Sequence, residues 1–273
     1  MSRRKLFVAA ALLLAASCGQ KTPHGDAHGS GSAHAGGHQA GGDTRFLFPN
    51  GNDGGWANLS KSVAHHAVAF TATTTLPAAI RAQLAHQLSL VEDAVRKYPT
   101  VADATAARYV RAGPFRPGTG AHYGRADLLI RGTALTDEAI SNPAVLIYDG
   151  TSPDSRIAGV MYVFSDPVIP GKTAEPEGFA GSGDRWHFHE NNCTREAKDG
   201  GLDLFRSSAA ECARAKGTFM QTGGYGIHVW PVAAYANPLG VFAHANPALS
   251  CPDGTYFTGP EQENSLCKRA SPK

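Results

Sequence analysis

The order of patterns along this chain predicts an α+β fold: N-terminal helices packed on an antiparallel β-sheet or small open barrel, stapled by disulfides. Three observations carry the prediction. Helical periodicity is confined to residues 78–111. Short apolar runs bounded by turn residues follow it, the signature of strands rather than helices. Four cysteines, Cys193, Cys212, Cys251 and Cys267, fall in the last part of the chain, an even number that suits two cross-links in an exported protein.

An apolar, β-branched stretch over 63–75 predicts a first strand, ending at Leu76-Pro77. Pro77 then opens a helix over 78–97, since proline is favoured in the first turn. Ile80, Leu84, Leu88 and Val91 share one face of it, and Pro99 stops it. His86 falls on the flank or surface. An alanine-rich second helix is expected over 101–111. The Pro/Gly loop 113–120 leads into His122-Tyr123. Runs at 126–130, 144–148 and 157–164 read as an antiparallel meander. Asp149-Gly150 and Ser152-Pro153-Asp154 supply turn residues between the last two. Residues 166–183 form a Pro/Gly-rich loop long enough to be a lid or binding loop. Strands at 185–193 and 226–234, with a short helix somewhere in 194–216 linked back through Cys212, complete the expected domain.

The N-terminus carries an export pattern. Arg3-Arg4-Lys5 is a basic region and 6–14 a nine-residue apolar run, too short for a bilayer, which needs about 20 residues. Ala15-Ala16-Ser17-Cys18 then resembles a bacterial lipobox, with Cys18 as the lipidated residue. The start also has a weak likeness to a twin-arginine signal. Residues 1–18 are therefore expected to be a lipoprotein signal, 19–45 a disordered Gly/His-rich tether and 46–273 one globular domain. The implied location is the bacterial envelope, anchored to a membrane. The tether is too poor in apolar bulk to fold. Its His24, His28, His34 and His38 make a low-affinity metal-binding tract. Discounting Arg3, Arg4 and Lys5 from the 25 basic residues leaves 22 against 23 acidic ones, which gives no footprint for nucleic acid. No feature names a protein partner.

The chemistry concentrates in Arg185-Trp-His-Phe-His-Glu-Asn-Asn-Cys193. On a strand, His187 and His189 share one face while Trp186 and Phe188 turn to a core. Neutral imidazole is a common ligand for zinc and copper, and three of them complete either site. The expected metal set is His187, His189 and His228, with His122 or His244 completing it and Glu190 as an outer or substitute ligand. Against it stands the plain alternative that each ring is solvated or locks a turn through a carbonyl. Cys193 also suits a metal, but the oxidising compartment favours disulfides. Of the three possible pairings, Cys193–Cys212 with Cys251–Cys267 closes the shortest loops.

His187-Phe-His189-Glu190, with Pro238-Leu-Gly240 and His244 downstream, also resembles the cupin type of metal-dependent barrel enzyme. The Glu spacing departs from that pattern, and a cupin-like enzyme is carried as an alternative. So is a structural or interaction lipoprotein without metal. Nucleophile-elbow, Walker and dinucleotide-binding patterns are absent from the sequence.

His122-Tyr123, Pro143-Ala-Val-Leu-Ile-Tyr148, Ile157-Ala-Gly-Val160-Met-Tyr162-Val163, Ile227-His228-Val229-Trp230 and Asn237-Pro-Leu-Gly240-Val-Phe242, with a later Asn246-Pro247, occur in one order. As a set they resemble a family of small secreted or lipid-anchored bacterial proteins of unknown function. The likeness covers about 77–250 and implies no activity or ligand. It does place His122 and His228 at recurring histidine positions.

Overall fold

The computed structural model describes residues 76–181, 183–256 and 266–267. The signal, Cys18, the tether histidines and the strand expected over 63–75 lie outside the described residues. Helix α1, Ala78–Arg96, ends within one residue of its expected boundary. It buries Leu84, Leu88 and Val91, together with Gln87, whose side-chain oxygen accepts from Ala180 N at 2.7 Å. His86 is exposed, with Nε2 2.9 Å from Asp137 Oδ2.

Helix α2, Val101–Ala106, is shorter than expected. Thr100 and Asp103 cap its start reciprocally. At its end Arg108 takes a left-handed φ of 69°. The amides of Arg108 and Tyr109 close back on Thr105 O and Ala104 O, both at 3.0 Å, a Schellman-type stop. The reversal sends the chain into β1, Val110–Arg111. Next come β2, Ala121–Gly124, helix α3, Asp137–Ser141, β3, Val145–Tyr148, and β4, Ile157–Val163. Residues 126–130 are not a strand: Ala126–Leu128 is a 3-10 turn, and Ile130 alone pairs with Phe164.

Two antiparallel sheets follow from these and the later strands. The larger runs β1-β2-β3-β4-β8, with β8 at Gly226–Val229. It is open, not a closed barrel. The smaller runs β6-β5-β7, built from β5, Glu190–Glu196, β6, Leu202–Arg206, and β7, Thr218–Thr222. Helix α4, Ala209–Arg214, lies between β6 and β7 in the chain. The strand expected over 185–193 is thus divided. His187 exchanges two backbone hydrogen bonds with Gly226, at 3.0 and 2.7 Å, adding one rung beside β8. Three residues later the chain enters the other sheet, and Asn191 adopts a φ of 55° in the process. The strand expected over 226–234 stops at Val229, and Ala233–Tyr235 is a 3-10 turn.

The disulfides are Cys193–Cys212 and Cys251–Cys267. The first joins β5 to α4. Gly217 passes so close to it that a Cβ there would overlap Cys193 Sγ and lie 3.0 Å from Cys212 Sγ. Arg116 and Arg111 tie the sheets together. Arg116 Nη2 donates to Leu204 O at 2.6 Å, and Arg111 grips Asp199.

The two faces of the larger sheet are covered differently. One packs under α1 and α2, with Leu84, Leu88, Val91, Leu146, Tyr148, Val160, Tyr162, Ile227 and Val229 in a single core. The other carries Ile147, Met161 and Trp230 against Leu249 of the C-terminal segment. By the period-two alternation of strands, His122 and His228 lie on this second face.

Candidate metal centre

His228 sits in the middle of β8, between Ile227 and Val229, and is 2% exposed. Its Nδ1 donates to the His244 carbonyl at 2.6 Å. That bond fixes the tautomer and leaves Nε2 as the lone-pair nitrogen. Nε2 faces His122 Nε2 across 3.4 Å. Two nitrogen ligands on one tetrahedral metal, each at its usual bond length, are separated by about 3.4 Å. Strands β3 and β4 lie between the two rings in the sheet: Ile147 pairs with His122 and with Gly159. A Cβ at Gly159 would collide with Trp230, so glycine there admits the indole on this face.

His244 comes from the C-terminal segment and stacks on His228 with ring centres 4.9 Å apart. Two buried asparagines shape its loop. Asn237 accepts from Leu239 N at 3.0 Å and donates to Ala245 O at 2.8 Å. Asn246 accepts from Ala248 N at 3.0 Å and donates to Tyr235 O at 2.8 Å. Trp230 adds its indole N–H to Ala243 O at 2.6 Å. The Asn-Pro-Leu-Gly turn is therefore the corner that delivers His244, closed by Gly240 N to Asn237 O at 3.0 Å.

His187 enters from its rung beside Gly226. Its ring centre lies 4.4 Å from His244, 5.0 Å from His228 and 5.3 Å from His189. One nitrogen from each of His187, His228 and His244 falls within 4.8 Å of the others. These three rings are placed to hold a metal ion. The expected set is therefore brought together with one exchange: His244 stands in the triad where His189 was expected. His189 flanks it, 6.4 Å from the His244 ring. His122 flanks it on the opposite side, through His228. Glu190 opens β5 opposite Thr222 in the other sheet. Cys193 is committed to its disulfide.

Electrostatics keep His228 and His122 neutral. Burial pushes His228 down to about 4, against the partial opposing effect of the His244 carbonyl, with His189 lowering it further. His122 is held well below the ordinary histidine range, first by burial, then by His228, His189 and the Arg116 guanidinium. None of these groups is a carboxylate. At neutral pH both rings are uncharged. No protein-family model, curated protein or solved structure matches this chain.

Sequence reasoning missed Met161 and Arg116. Met161 pairs with His228 in register. Its signal was its place in the β4 run, two residues after Gly159 on the same face. Arg116 lay in a Pro/Gly loop, and nothing local marked it.

Proposed function

We propose that this chain is an exported, lipid-anchored bacterial envelope protein that binds a transition metal ion, zinc or copper, in the buried histidine cluster. The observation that carries the reading is the convergence of His187, His228 and His244, whose ligand atoms lie within 4.8 Å of one another. The three come from separate segments of the chain, and His122 and His189 stand beside them. Imidazoles gathered this closely repel when protonated, and a shared cation is the arrangement that makes all of them favourable together. Cys18 in its lipobox context supports the anchor. Two disulfides fit an oxidising compartment. Among the described residues, no helix is long and apolar enough to cross a membrane; in this reading the lipid on Cys18 makes the membrane association. The His-rich tether would bind ions loosely.

The test is metal content and thermal stability of the full chain, with His24, His28, His34 and His38 replaced by glutamine to silence the tether. About one zinc or copper ion per chain is expected, with a rise in melting temperature on loading. His228→Ala should abolish both. A chain that retains neither metal and melts at the same temperature with either would overturn the reading.

A further inference from the structure

The cluster's surroundings distinguish between ions of different charge and softness. The ligand atoms that gather at the site are imidazole nitrogens, with no carboxylate or cysteine sulfur among them. A divalent ion held only by imidazoles would keep its full charge beside the buried His187 and His228. The cost of burying charge grows with its square, so a doubly charged ion costs about four times what a singly charged one does. A monovalent ion suits this environment better.

The second observation is Met161. It lies opposite His228 in the β4–β8 pairing and is 8% exposed. A Cβ placed on Gly226 would overlap Met161 Cε and sit 3.8 Å from His187 Cε1. The thioether end of Met161 and the ring of His187 therefore crowd the same point above β8, next to His228. Gly226 is what allows this, because any side chain there would push them apart. A buried thioether at an imidazole cluster is an unusual neighbour for zinc but a favourable one for cuprous copper, which selects soft sulfur and tolerates low coordination.

Resting on the metal-binding reading, we propose that the physiological ion is Cu(I), held by the imidazoles of His187, His228 and His244 with the Met161 sulfur as a further ligand. Methionine is unbranched, and rotation about χ1 and χ2 brings Sδ toward the rings without moving β4. Binding involves no redox step, and the ion enters already reduced.

The experiment is anaerobic competition of the tether-silenced full chain against a Cu(I) chelator, with ascorbate as a reductant that spares disulfides, alongside a parallel zinc titration. Met161→Leu keeps the side-chain volume. It should weaken Cu(I) binding at least tenfold and change zinc binding less than twofold. X-ray absorption of the copper-loaded, unsubstituted chain should show one sulfur neighbour beside nitrogens, and this holds even if the variant misfolds. Equal Cu(I) affinity in Met161→Leu, or a nitrogen-only copper shell, overturns the Cu(I)–thioether proposal while leaving the metal site standing. Failure of both ions to bind removes the metal-binding reading itself.

Discussion

The two faces of the larger sheet solve the same burial problem with different materials. Under the helices the sheet presents Leu146, Val160, Ile227 and Val229 to Leu84, Leu88 and Val91. Its polar atoms are dealt with one at a time. Tyr162 donates to Ile140 O at 2.7 Å, Tyr109 to Pro143 O at 2.9 Å and Tyr148 to Tyr98 O at 2.9 Å. Each phenol fills space with its ring and finds a carbonyl at its tip. The opposite face buries imidazoles against one another instead, and covers them with a loop held by two asparagines. The first face is optimised as a core. The second keeps polar groups together, a costlier material to bury than hydrocarbon and the material of the proposed metal site.

The comparison can be broken most sharply on the helix side. Leu84→Ala, at a site 1% exposed, should cost about 2–5 kcal/mol in denaturant unfolding, through lost burial and a residual cavity. Metal affinity of the surviving folded fraction should stay unchanged. Parallel losses of stability and affinity would mean that the two faces are not independent.

The histidine face should show itself next, through pH. His228 titrates near 6.5 when unfolded and about 4 when folded. Between those values the unfolded chain holds a proton that the folded chain lacks, so stability falls as pH drops from 6.5 toward 4 and levels off below. The loss from this ring is about 3 kcal/mol, and His122 acts in the same direction. Denaturant melts of metal-free protein at pH 7 and pH 4.5 measure it, with His228→Asn flattening the slope. A slope unaffected by that substitution would place the pH dependence elsewhere.

Within the site, His122→Ala should weaken metal binding roughly 10–100-fold, as expected for a group one ring removed from the triad, with little change in melting temperature of the metal-free chain. An effect as complete as that of His228→Ala would make His122 a direct ligand. The smallest effect belongs to Tyr162→Phe. It keeps the ring and removes one hydrogen bond, which should cost about 1 kcal/mol and leave metal binding untouched.

Much of the helix face was legible in the sequence because its signals are local. The period of Leu84, Leu88 and Val91 gave α1, and turn residues around Asp149 and Pro153 marked the hairpin of β3 and β4. The disulfide pairing followed from loop length. The smaller sheet was not legible. Leu202–Arg206 alternates over only five residues and sits among charges, and its strands are held by Cys193–Cys212 and by Arg116 rather than by a broad apolar face. For the site, sequence proximity found His187 and His189. It could not rank His244 above His189, because that depends on β8 lying beside the His187 rung and on a corner fifty residues downstream. The register that sets Met161 against His228 is likewise a property of pairing between distant strands.

The asparagines that hold the His244 loop have one more consequence. Asparagine ages by attack of the following backbone nitrogen on its side-chain amide, which forms a ring and then an aspartate. Asn237 precedes Pro238 and Asn246 precedes Pro247, and proline has no backbone N–H to make that attack. An aspartate at either place would turn the donor toward Ala245 or Tyr235 into an acceptor and bring a negative charge beneath the histidines. The two prolines close that route, so the corner that carries His244 is spared deamidation through the cyclic imide at both asparagines.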